Sequence, residues 1–476
     1  MKYILCLSVA LFAISCNQAP TSNKAAGEKT EVSLVNTLHT PDWVKNATIY
    51  EVNIRQFSPQ GNFATFEKDL PRIKALGVDI LWLMPIYPIC VTNRKCHDTA
   101  KTECFGSYYA AYDFEAVNPR YGTMDDLNHL VNNAHALGLK VILDFVPNHT
   151  GWDSKWMKEH PEYYKKGPDG KITDPIDPQG KKWGWTDVAQ LDYDNPQLRE
   201  AWMKAHEFWM NHSAIDGFRE DVAGAVPTPF WSELRTRLDK IRPVFMLAED
   251  ENKGKEEFDA CFNMNYGWGL HALIKDVAKG KKPASAIYDS TEMIKKRFGT
   301  QGWQMNFTQN HDENSWNGTE RESFGDGGDC FTALCFTIEG MGLIYDGQEV
   351  SLNKRLLFFN KDSIDWTGKS RAGFFQTLNA IKHSNKALWN GQAGGELHKI
   401  ATSNDAQVYA FTREKDGDKV LCIFNLSNKP VNFVLVGDAA DGKWRNVFSK
   451  DAAMVNVMSK QQRSMKAYEY LVFSNK

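Results

Sequence analysis

Between about Pro41 and Asn390 the chain repeats one pattern, a short and continuously apolar run followed by a stretch long enough for a helix. Thr48 to Val52 is the first run, Asp79 to Met84 the second, and Lys140 to Val146 the third. Five more follow, at Ile215–Arg219, Val244–Ala248, Ala260–Met264, Gln304–Gln309 and Gly342–Tyr345. Runs that are apolar throughout, instead of at every second residue, fit parallel strands covered on both faces. Phe66 to Leu76 reads as a helix stopped by Gly77, and Asp125 to Leu137 as another with Gly138 just past its end. Eight strand–helix units predict a TIM (β/α)8 barrel in preference to a doubly wound sheet.

Two segments break the rhythm. Residues 150–190 are polar, rich in Gly, Pro, Trp and Lys, and have no clear helical period, so they read as a small subdomain inserted after the third strand. Its aromatics (Trp152, Trp156, Tyr163, Tyr164, Trp183, Trp185) serve either a small local core or the wall of a cleft, and Trp303 and Trp316 pose the same choice around the seventh strand. From about Gly394 the text turns alternating, with Gln407–Phe411, Val420–Phe424 and Val431–Leu435 separated by turn residues. We therefore assign residues 41–393 to the barrel and 394–476 to a C-terminal β-sandwich.

The N-terminus reads as an export signal. Lys2 precedes an apolar run from Ile4 to Ile14, too short to span a bilayer and of signal-peptide length. Ser15-Cys16 resembles a bacterial lipoprotein cleavage site, although Ala13 stands where Leu is usual. The expectation is a signal peptide over residues 1–15, lipid on Cys16, a flexible tether over 16–40, and membrane attachment through that lipid only. Asn17-Gln18-Ala19-Pro20 has no acidic run, which favours the periplasm over the cell surface. Cys90, Cys96 and Cys104 fall in one loop where export permits a disulfide, and the sequence does not choose the pair. Cys96-His97 with Cys104 also has the residue types of a zinc site, while Cys330 and Cys335 read as buried thiols. A net charge of −3 gives no basic footprint for nucleic acid.

In a TIM barrel the site lies at the C-terminal ends of the strands. There the sequence places Asp144 and Asn148-His149 after strand three, Arg219 and Asp221 after strand four, Glu249 after strand five, and His311-Asp312 after strand seven. A lone Asp after a strand is more often a helix cap, but acids at four barrel positions are not explained that way. Arg219, two residues before Asp221 on the same strand face, is expected to lower the pKa of Asp221, and Asp250 and Glu251 to raise that of Glu249.

These motifs resemble those of the α-amylase family, glycoside hydrolase family 13. The likeness extends to Gly106–Phe114, Asn118–Thr123 and Leu191–Pro196, and covers about Thr48 to the end. It implies Asp221 as nucleophile, Glu249 as general acid/base and Asp312 as transition-state stabiliser. It implies substrate contacts from Tyr109, His149, Arg219 and His311, with Asp144 ordering the end of the third strand. The implied activity is retaining hydrolysis of α-1,4-glucosidic bonds in starch, maltodextrin or related α-glucans. Transglycosylation or branching with the same acids, and starch binding without catalysis, are the alternatives. No organic cofactor is implied. Calcium is left open: Asn148 matches a frequent ligand, yet Gln190 stands where an Asp is usual and Ala225 replaces a His. Gly224 and Ala225 also replace the Lys-His pair often found after the nucleophile, and Gly342 replaces a common Pro.

Overall fold

The computed structural model describes residues 39–98, 101–177, 179–251, 261–298, 302–451 and 453–476. The expected signal peptide, Cys16 and all but the last two residues of the tether lie outside them. Eight parallel strands close into a barrel: β1 (Ile49–Val52), β2 (Ile80–Leu83), β3 (Lys140–Phe145), β6 (Gly217–Glu220), β7 (Phe245–Ala248), β8 (Met264–Tyr266), β9 (Trp303–Asn306) and β10 (Met341–Tyr345). Closure comes from β1, which pairs with β2 through Ile49↔Ile80 and with β10 through Ile49↔Leu343.

The two-residue period of a strand explains the two apolar layers. Ile49, Ile80, Trp82, Ile142, Phe245, Leu247, Met264, Met305 and Leu343 fill the barrel interior. Their neighbours Tyr50, Leu81, Leu83, Leu143, Phe218 and Met246 face the helices, among them Met124–Ala136, Pro196–His212 and Thr228–Ile241. The same period carries inward to Glu51, Asp144, Arg219 and Glu249, so the last interior layer is polar.

One predicted strand is displaced. The sixth was expected over Ala260–Met264, but pairing with β7 begins at Met264↔Leu247. Phe262 packs on Trp231 in the helix layer, ring centroids 5.0 Å apart, and Asn263 Oδ1 accepts from Met246 N at 2.9 Å. An apolar pair spent on the outer layer thus mimicked a strand. Gly342, in place of the common Pro, sits where a Cβ would lie 2.7 Å from the Phe336 ring.

The insertion after β3 is built on a two-stranded ribbon, β4 (His149–Gly151) against β5 (Val188–Gln190), with a short helix at Lys155–Glu159. Beyond the barrel, β11 (Glu396–Ile400), β12 (Val408–Lys415), β13 (Asp418–Asn425), β15 (Gly442–Asn446), β16 (Val455–Val457) and β18 (Tyr470–Ser474) form a six-stranded sheet, in the order β11-β12-β13-β18-β15-β16. A ribbon of β14 (Val431–Phe433) and β17 (Arg463–Met465) covers it, and Val431, Phe433 and Met465 share a core with Val408, Leu421 and Ile423.

Candidate active site

Asp221 and Glu249 each stand one residue beyond a strand, still tied to the barrel. Asp221 N donates to Phe145 O at 2.8 Å, and Glu249 N to Glu220 O at 2.9 Å. Between them lies the buried Arg219 guanidinium. Its Nη1 donates to Asp144 Oδ1 at 2.9 Å and Asp221 Oδ1 at 2.7 Å, its Nη2 lies 3.0 Å from Glu249 Oε2, and its Nε donates to the Tyr266 hydroxyl at 3.1 Å. Glu249 Oε2 also accepts from Val222 N at 2.9 Å, beside the Asp221 carboxyl.

Val222 is strained. At φ 47° and ψ 38° it occupies the left-handed region, which a β-branched side chain strongly disfavours. That conformation turns its N–H toward Glu249. Gly224 follows in a tight turn where a Cβ would meet Asp250 Oδ1 at 2.5 Å. A side chain at position 224 would require the Asp250 carboxylate to move.

The second half of the cluster is linked through Asp144. Asp144 Oδ2 accepts from Trp82 Nε1 at 3.1 Å and from the Tyr109 hydroxyl at 3.2 Å. The Tyr109 oxygen is 2.8 Å from His311 Nε2, which is 3.4 Å from Asp312 Oδ2. His311 Nδ1 bonds Glu51 Oε1 at 2.5 Å. Every expected site residue except Asn148 and His149 therefore belongs to one chain of polar contacts. His149 lies beside it, on the wall of the same cleft.

The electrostatics follow from three carboxyls sharing one guanidinium. Burial pushes Glu249 up to about 7, against the pull of Arg219 and aided by Asp221. Burial likewise pushes Asp144 up to about 8, opposed by Arg219. Asp221 is raised as well: the expected lowering by Arg219 is present, but the loss of water outweighs it. The elevation of Glu249 was expected from Asp250 and Glu251, and it arises instead from burial and Asp221. Asp312 is raised by burial against His311. Burial disfavours the charged form of His311, yet Asp312 and Glu51 outweigh it and lift the ring to about 9. His149, buried with only Asp187 to favour its charge, falls to about 4 and is neutral.

These side chains surround a cleft of about 470 Å³. Its aromatic walls settle the choice left by the sequence. Trp156 and Tyr163 pack into the core, whereas Trp185 and Trp316 line the cleft, 39% and 45% exposed. Trp303 is buried at the closed end of the barrel interior. Cys96 and Cys104 form the disulfide, which uses both thiols of the imagined zinc site. Cys90, Cys330 and Cys335 are buried thiols.

Glu51, Trp82 and Tyr266 were missed by the sequence reading. Glu51 carried a signal, an acid at an inward position of an otherwise apolar run. Asn148 Nδ2 meets His149 Nδ1 at 3.2 Å, and Gln190 Oε1 accepts from Ile176 N at 3.1 Å. Among the described residues no group of three or more His, Cys, Asp or Glu is placed to hold a metal.

Fold and cleft define the class, a TIM barrel with carboxyls converging on one open space at the C-terminal rim. The alpha amylase catalytic domain matches residues 45–419, and the maltogenic amylase C-terminal domain matches residues 399–472. The chain belongs to the alpha-amylase family. A maltogenic alpha-amylase, AmyB of Thermotoga neapolitana, is 26% identical with a TM-score of 0.79, over 91% of this chain and 99% of that one. An alpha-amylase from Lactobacillus plantarum is 28% identical with a TM-score of 0.78, over 91% and 100%. Alpha-amylase MalA of Haloarcula japonica is 24% identical over 444 residues, 88% of this chain, which spans 62% of MalA's length.

Proposed function

We propose that the chain is a retaining hydrolase of α-1,4-glucosidic bonds in starch, maltodextrin or related α-glucans. The observation that carries this reading is the unbroken polar contact from Glu249 through Arg219 to Asp221, and from Arg219 through Asp144, Tyr109 and His311 to Asp312, inside one cleft.

Asp221 is the nucleophile and Glu249 the acid/base. Two adjacent carboxyls do not both ionise cheaply, so one keeps a proton near neutrality. Arg219 Nη1 makes the shorter contact with Asp221, and this favours Asp221 as the ionised partner. Glu249, held near 7, keeps the proton and points it toward Asp221. A glycosidic oxygen entering the cleft takes over as acceptor. Asp221 then attacks the anomeric carbon while Glu249 protonates the departing oxygen, giving a covalent glycosyl-enzyme. Water, deprotonated by Glu249, attacks that carbon and releases Asp221. Two inversions give net retention. Asp312 and the charged His311 hold sugar hydroxyls as positive charge spreads over the ring, and Tyr109 offers a flat face beneath it.

The test is the anomer released first. Proton NMR during maltoheptaose hydrolysis is expected to show the α product before mutarotation, and the β anomer first would overturn the assignment. Longer or branched products would place the chain with the transferases. We also propose that the protein is exported and held by lipid on Cys16, facing the periplasm. Labelling with a radioactive fatty acid, lost in Cys16→Ser, tests this.

A further inference from the structure

Resting on the hydrolase reading above, we propose that Lys95 and Asp187 form a gate closing the cleft between the loops that follow β2 and β3, which restricts the enzyme to chain ends and short oligosaccharides. Lys95 Nζ lies 3.1 Å from Asp187 Oδ1 and also donates to Gly184 O at 3.1 Å. The two residues come from different loops, and both line the cleft beside Tyr109 and His149.

Neither side of the gate is loosely held. Lys95 directly precedes the Cys96–Cys104 disulfide, and the disulfide loop is pinned to the loop after β10. His97 N donates to Asn360 Oδ1 at 2.8 Å, and Asn360 Nδ2 donates to Thr102 O at 2.9 Å. Asp187 directly precedes β5, whose pairing with β4 fixes its height, and Trp152 Nε1 donates to Thr186 O at 2.9 Å. The Asp187 side chain is 8% exposed and that of Lys95 33%, so the carboxylate is sheltered and the pair is screened less than a surface bridge.

A glucan leaving the cleft between these loops would pass through the space the pair fills. The glucan chain must therefore end there. This makes substrate length a property of one ion pair and not of the acids. The charge of Asp187 also acts on His149, so Lys95 is the cleaner position to change.

The experiment compares wild type, Lys95→Ala, Asp187→Ala and the double variant by kcat/KM on maltotriose and on soluble starch. Lys95→Ala is expected to raise the starch-to-maltotriose ratio by roughly tenfold, the low end of what one pocket contact discriminates, and Asp187→Ala by less, because Lys95 keeps its hydrogen bond to Gly184 O. The double variant is expected to gain no more than Lys95→Ala, because the lysine is the side chain that spans the gap and its loss already opens it. An unchanged ratio in Lys95→Ala, with maltotriose cleavage at the wild-type level, overturns the gate and leaves the triad untouched. Additive gains in the double variant overturn it too, since they mean two independent contacts. A wild type that cleaves no α-glucan overturns the hydrolase reading and the gate with it.

Discussion

Replacing Glu249 with Gln separates the burden this side chain places on the fold from its use in catalysis. A free glutamate titrates near 4.5, and this one near 7. The displacement corresponds to about 3 kcal/mol against the ionised form inside the protein, at 1.36 kcal/mol per pH unit. The folded state holds the proton more tightly than the unfolded state does. That stabilisation is complete below about 4.5 and is lost as pH rises through about 7. Glutamine keeps an oxygen for Val222 N and Arg219 and never ionises. Urea unfolding at about pH 4 should find the two proteins close in stability, and at about pH 8.5 should find Glu249→Gln more stable by about 3 kcal/mol. In the proposed mechanism the same proton goes to the leaving group, so wild-type kcat/KM should fall on the alkaline side with a midpoint near 7. The variant should lose several orders of magnitude on unactivated glucans and less on substrates with good leaving groups. A stability difference that does not change with pH would refute the argument that burial holds this proton.

Two further changes probe the surroundings. Arg219→Met strips three carboxyls of their shared cation, and it should cost roughly 3–5 kcal/mol by urea unfolding. It should also move the acid limb of the pH–rate profile upward, because Arg219 is what opposes the burial of Asp221. Val222→Gly should leave stability within about 1 kcal/mol despite the lost isopropyl group, since relief of the left-handed strain offsets it. A loss well above that would show the side chain's packing to matter more than its backbone.

The barrel was legible because parallel strands buried on both faces leave unbroken apolar text, and because Gly77 and Gly138 marked the ends of helices between them. The sixth strand was misplaced for the same reason: Cys261 and Phe262 are apolar but serve the helix layer. The acids at 144, 221, 249 and 312 could be read from their position just past strand ends. What could not be read was who touches whom. Arg219 and Asp221 are neighbours in sequence, but the contact between Arg219 and Glu249 depends on strand register, as does that between His311 and Glu51, 260 residues apart. The net pKa direction of Asp221 failed for a related reason, since burial is a property of the whole rim and not of one neighbour. The pairing of Cys96 with Cys104 and the choice between Trp185 and Trp156 for the cleft required the folded insertion.

Direct identification of the residue that becomes glycosylated decides the matter. Incubation with a 5-fluoro-α-glucosyl fluoride, which slows release of the covalent intermediate, followed by peptic digestion and mass spectrometry, should find the sugar on Asp221 and none in the Asp221→Asn protein. A label on Glu249 or Asp312, or brisk turnover by Asp221→Asn, would contradict the arrangement of roles set out here.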